Sequence, residues 1–192
     1  MSSGQSFRQL VGASPSTASL SDSVLIIIDA QNEYADGKLA IKNLTTSRRA
    51  IKALLERYRT AGAPIIHIVH VVPAGAPVFT PNTSLAKEFP ELQADSELVV
   101  TKRHPGAFTD TSLRAELDKI GRKKILLVGY MAHVCISTTA REGYQAGYDV
   151  LVVKDAIGDR DIPGAEAETL VDIVCAELGD MFATIVQSGD IV

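Results

Sequence analysis

Two cysteines in a chain of 192 residues can staple very little, so a disulfide-stabilised scaffold is excluded. Long hydrophobic runs are missing as well. The strongest apolar stretches, 24–28 and 125–128, fall far short of the roughly 20 residues that a membrane span requires. There is no run of lysine and arginine. With 19 basic against 23 acidic residues and a formal charge of -4, the chain carries no electrostatic footprint for nucleic acid. No basic start leads into an apolar stretch, and the expectation is a protein without a secretory signal, located in the reducing cytosol. What is abundant is apolar side chain, 46% of the residues, with 22% charged. That is too apolar for disorder, and the length suits one domain with a sizeable core.

Residues 1–20 are rich in Ser, Thr, Gly and Ala and read as a leading arm, with at most a short helix at 7–11. A single domain is expected over 21–192, and in it strand and helix alternate. The stretch 24–29 is β-branched and ends in a carboxylate. Ile51, Leu54, Leu55 and Tyr58 then fall on one helical face over 46–60, and Gly62 stops that helix. Residues 65–72 are strand-like. The stretch 73–81 is broken by Pro and Gly, a weak helical pattern lies near 84–88, and 98–101 is a short strand. Further on, helices are predicted at 110–120, 134–146 and 163–178, the last with Pro163 at its first turn. Strands are predicted at 124–128, 149–153 and 183–186.

Strands that are apolar throughout, rather than alternating, are buried on both faces. The fold class expected is therefore α/β, a Rossmann-like three-layer sandwich. Its mostly parallel central sheet should have about six strands, with helices on both faces. Ligands of such sheets bind outside the carboxyl ends of the strands, which directs attention to Asp29, the loop 70–79, Lys102 and the segment 129–135.

Asp29 at a strand tip is either a cap or a partly buried general base. Lys102 alone would read as a loop charge. Cys135 falls at a strand–helix junction, where free N–H groups and the helix dipole would favour a thiolate and could also receive a developing oxyanion. Cys175, in the middle of an apolar helical stripe, reads as inert. If the three strand ends converge, the acid can take the thiol proton and the ammonium can orient the acid.

The stretches DAQNEY (29–34), TKRHPGAF (101–108) and GYMAHVCISTTAREGYQAGYDVLVVKDA (129–156) together resemble the isochorismatase-like cysteine hydrolase superfamily, from about residue 22 to the C-terminus. The resemblance implies Asp29 as base, Lys102 as orienting cation and Cys135 as nucleophile. It also implies a non-proline cis bond at Tyr130–Met131 and an oxyanion hole from the amides of Met131 and Cys135. Gln31 is expected to orient Asp29 or the pocket backbone. Tyr34, Phe79, Phe108 and Tyr130 are expected as pocket walls. His133 either lines the pocket or is surface. The nicotinamidase branch of the family binds a metal through an Asp-x-His after the second strand. Here His67 and His70 stand three apart on an apolar strand, hence on opposite faces, with no Asp beside them. They read as core or edge residues, and neither metal nor cofactor is expected. His104 reads as a loop residue. The family commonly forms dimers or tetramers, so a homo-oligomer acting on a small molecule is expected, with no nucleic-acid or membrane partner.

Three functions stand open on the sequence. The first is hydrolysis of a small amide through an acyl-thioester at Cys135. The second is hydrolysis of the vinyl ether of isochorismate, with Asp29 as proton donor and no need of a thiol. The third is non-catalytic binding of a small molecule, against which the intact Asp29, Lys102 and Cys135 argue.

Overall fold

In the computed structural model, which describes residues 4–192, the elements in chain order are α1 (Phe7–Leu10), β1 (Ser23–Ile28), α2 (Glu33–Asp36), α3 (Leu44–Thr60), β2 (Ile65–His70), β3 (Leu98–Lys102), α4 (Leu113–Ile120), β4 (Lys124–Tyr130), α5 (Ser137–Gln145), β5 (Asp149–Gly158), α6 (Ala167–Met181) and β6 (Thr184–Val186). The sheet order is β3-β2-β1-β4-β5-β6, and every pairing is parallel. This is the expected α/β architecture. The central strand shows why its sequence is apolar throughout. Val24, Ile26 and Ile28 point to a core shared with α4, α5 and α6. Leu25 and Ile27 point the other way, to a core shared with α3.

Boundaries differ from the expected ones for local reasons. Strand β5 runs on past Val153 to Gly158, because Lys154 pairs with Asp172 and Asp155 accepts from Ser188. Those two charges interrupt the apolar run without ending the strand. Helix α6 starts at Ala167. Pro163 lies instead in a turn closed by Ile162 and Ala165, and Asp161 Oδ1 accepts from the Ala167 amide. The helix expected at 134–146 is a π turn, Ala132–Ile136, followed by α5. Near 84–88 there is one 3-10 turn, Ser84–Ala86. Of the leading arm, residues 1–3 lie outside the described residues. The rest holds to the domain through Ser16 N–H on Thr184 Oγ1 and Leu20 N–H on the Val192 carbonyl.

The order places the topological switch between β1 and β4, where chain direction across the sheet reverses and a crevice opens at the strand tips. Gly129 makes that junction possible. Its φ is +116°, and a Cβ there would lie 1.9 Å from the Ile28 carbonyl oxygen. Gly129→Ala is therefore expected to remove much of a stability margin of about 5–15 kcal/mol, read as a large fall in the urea midpoint or as insoluble chain. A midpoint close to that of the parent would show that β1 and β4 can separate without loss.

Candidate active site

Three strand tips deliver three side chains to one point. Asp29 directly follows β1 with a left-handed φ of 51°, a conformation that Asp adopts more readily than most residues. Lys102 ends β3 and reaches over the tip of β2. Cys135 stands on the π turn beyond β4. Lys102 Nζ lies 2.8 Å from Asp29 Oδ2 and 3.3 Å from Cys135 Sγ. It also lies 3.1 Å from the His104 carbonyl oxygen and 3.2 Å from His70 Nδ1. Asp29 is fully buried, Lys102 and Cys135 nearly so. Besides the Lys102 ammonium, the Cys135 thiol lies within hydrogen-bonding reach of the Asp29 carboxylate, which is thus an acceptor placed for the thiol proton.

Burial alone would push the Lys102 ammonium down, but the charge of Asp29 and the neighbouring thiol raise it instead. Lys102 thus stays protonated at neutral pH. The expectation of a thiolate at Cys135 is corrected. Burial first, and the Asp29 carboxylate second, push its thiol well up, and Lys102 offsets only part of this. Burial and the Asp29 charge thus favour the thiol form of Cys135, beside a Lys102 that is ion-paired to Asp29. Cys175 is inert by position, buried on α6, its thiol pushed up to about 11 by burial.

Removing the Asp29 charge should therefore lower the Cys135 pKa. Asp29→Asn is expected to speed alkylation of Cys135 by iodoacetamide several-fold at fixed pH while abolishing turnover, with Cys175 as internal reference in the peptide masses. Slower or unchanged alkylation would mean that Asp29 does not govern the thiol.

The bond Tyr130–Met131 is cis, as the family pattern implies. Among the described residues, neither the Met131 nor the Cys135 amide donates to an acceptor outside the turn, so both are available as an oxyanion hole. The turn is held from β5. Asp159, fully buried just past that strand, accepts from the His133 amide at 2.9 Å, from His133 Nδ1 at 2.8 Å and from the Arg160 amide at 2.9 Å. His133 thus has only Nε2 left for a ligand.

The walls are partly those expected. Gln31 orients backbone, not Asp29. Its amide accepts from the His70 N–H and donates to the His70 and Ala86 carbonyls. Tyr34 and Phe79 meet edge to face with ring centroids 5.3 Å apart. The Tyr34 hydroxyl is pushed well up, by burial first and then by Asp29, Cys135 and Asp159, which marks these groups as its neighbours. Two walls are corrected. Tyr130 is fully buried with its hydroxyl on Ser47 Oγ at 2.8 Å, and it backs Tyr34. Phe108 packs on Tyr148, and its amide donates to Glu142, because the chain turns away from the site after Lys102 and lies against α5.

Sequence reasoning missed His70 and Asp159. His70 is the last residue of β2, and its position at a strand tip was the available signal. Asp159 was hidden by the early end assigned to β5. His67 is a core residue as read, paired through Nδ1 with Glu88 at 2.6 Å. Glu88 belongs to a segment that crosses the strand tips, bridged to Gln31 and hydrogen-bonded from Phe89 N–H to the Ala30 carbonyl. Among the described residues no three His, Cys, Asp or Glu side chains gather in a way that could hold a metal.

In this parallel sheet, with its switch at β1/β4, an acid, an ammonium and a thiol meet at the strand tips, an arrangement suited to hydrolysis. The isochorismatase domain family matches residues 23–189, and the chain belongs to that family. A protein of Verticillium dahliae named as a secreted isochorismatase effector is 60% identical over 187 residues, covering 97% of this chain and 98% of its own. A crystal structure of an isochorismatase from Pseudomonas putida KT2440 superposes with a TM-score of 0.94 at 32% identity, covering 98% of this chain and all of that one. A nicotinamidase of Arabidopsis thaliana is 29% identical over 140 residues, 69% of this chain and 71% of its own. The Verticillium relative corrects the cytosolic expectation. That relative is named as secreted and is 60% identical over nearly the whole of both chains, and the expectation does not stand against it.

Proposed function

We propose that the chain is a thiol-dependent hydrolase that cleaves a C–N amide bond of a small molecule. The observation that carries this reading is the ammonium of Lys102 set between Asp29 Oδ2 and Cys135 Sγ. Asp29 takes the thiol proton as Sγ attacks the carbonyl carbon. The amides of Met131 and Cys135 receive the charge that develops on the carbonyl oxygen. Asp29 then gives the proton to the leaving nitrogen, the C–N bond breaks, and an acyl-thioester remains. Water attacks that thioester, its proton passes to Asp29 and on to the departing sulfur, and the acid leaves. Lys102 stays charged throughout and holds Asp29 in place.

A second reading is favoured by the name and 60% identity of the Verticillium relative, and by it the chain hydrolyses the vinyl ether of isochorismate. That chemistry needs Asp29 to arrive as a neutral acid, whereas Lys102 forms an ion pair with it, and it gives the thiol no part. Acid quenching during turnover of a panel of small amides, followed by peptide mass measurement, separates the two. An acyl adduct on the Cys135 peptide is the expected result. Turnover of isochorismate with no adduct from any amide would sink the amide reading.

A further inference from the structure

Lys102 has three N–H donors, yet four acceptors surround its ammonium: Asp29 Oδ2, the His104 carbonyl, His70 Nδ1 and Cys135 Sγ. An ammonium can only donate. A proton on His70 Nδ1 would set an N–H against the ammonium at 3.2 Å, so Nδ1 carries the lone pair and the proton of the neutral ring sits on Nε2. The ring is kept neutral, since burial first and the Lys102 charge second hold its pKa below the usual imidazole range.

The position of this ring is fixed from several sides. Gln31 grips the His70 main chain with both ends of its amide, at 2.9 Å and 3.0 Å. Phe79 packs against the ring with centroids 5.1 Å apart, and Tyr34 packs on Phe79. His67 differs: its Nε2 is sealed in the core without a partner. His70 is half-buried at the strand tip, and Nδ1 is the ring atom bound within the protein. A donor of fixed tautomer and fixed place is thus left beside the reacting groups, with an aromatic wall next to it.

We propose that His70 is the substrate-orienting donor of this site: its Nε2–H binds an acceptor oxygen, carboxylate or carbonyl, on a planar small molecule that lies against Phe79, which Tyr34 backs. This rests on Asp29, Lys102 and Cys135 being the reacting centre, and it holds whether the bond broken is C–N or C–O.

Two substitutions divide the ring's two nitrogens. His70→Asn sets an amide near the place of Nδ1, keeping an acceptor for Lys102 and removing the outer donor. His70→Gln sets its amide near the place of Nε2 and keeps the outer donor. The probes are benzoate and benzamide, planar molecules with an acceptor oxygen, titrated against protein with 15N-labelled histidine. The His70 Nε2 resonance of the parent should shift on saturation. His70→Asn should weaken binding about tenfold, the size of one hydrogen bond, while His70→Gln stays within about threefold and both keep the parent's melting temperature. Parent-like binding by His70→Asn, equal loss in both variants, or no probe binding to the parent would each overturn the proposal. Cys135→Ala should leave probe binding intact, so failure of the thioester reading and failure of this one give different results.

Discussion

Cys135→Ala should lower amide turnover by about 10³-fold or more, because members of one catalytic unit fail together. The substitution removes the atom that forms the acyl bond and leaves Asp29 and Lys102 paired, since their 2.8 Å contact does not involve the sulfur. Stability should change little by comparison. The thiol is small and buried, and alanine leaves a cavity of only one sulfur atom. Measured kcat on the best amide of the panel, with the melting temperature alongside, decides it. The same variant assayed on isochorismate separates the two reactions. If isochorismate is hydrolysed and the rate survives the loss of sulfur, Asp29 is the proton donor and the thiol has no part in the reaction.

Lys102→Met is expected to damage both activity and folding. Methionine fills much of the same channel but leaves the carboxylate of Asp29 fully buried without a counter-charge. Breaking such a pair on one side costs about 3–5 kcal/mol. The pH dependence follows from the raised pKa of Lys102. A group raised in the folded state contributes stability that is complete below its unfolded pKa and is lost as pH rises through the folded one. The parent therefore keeps this contribution across the neutral range and loses it only in strong alkali. The variant lacks it throughout, and acidification should restore part of the loss by neutralising the unpaired carboxylate. Urea unfolding of both proteins at several pH values tests this. A gap between the two that does not narrow towards acid would mean that Asp29 is not the group left unpaired.

The sheet was legible in the sequence because it rests on a strong local pattern, whereas the grouping of Asp29, Lys102 and Cys135 came from the family resemblance and not from their spacing. A run such as 24–28, apolar at every position, has few places to go except between two layers. Asp29 directly follows such a run, Lys102 closes β3, and Cys135 stands on the turn beyond β4. The surroundings of the trio were harder to read, since they depend on which way a side chain turns. Phe108 and Phe79 are alike in type and both follow strand ends, yet Phe79 faces His70 while Phe108 lies against Tyr148. The state of the thiol was misjudged for a related reason. A helix start in sequence says nothing of how deeply the start is buried, and burial decides the direction at Cys135.

The all-parallel order has a bearing on how the chain comes to be an enzyme at all. No two adjacent strands can be joined by a tight hairpin, so every neighbouring pair waits for a crossover to close. The contact of Lys102 with Cys135 spans 33 positions in the chain, and Gln31 reaches Ala86 across 55. Contacts of such long range are slow to form, and Asp29, Lys102 and Cys135 meet only once β1, β3 and β4 share one sheet. Recovery of hydrolysis on refolding should therefore trail the recovery of helical signal. Partly folded forms should hold Asp29, Lys102 and Cys135 apart, and Cys135 should be sealed from solvent only as the strand tips meet.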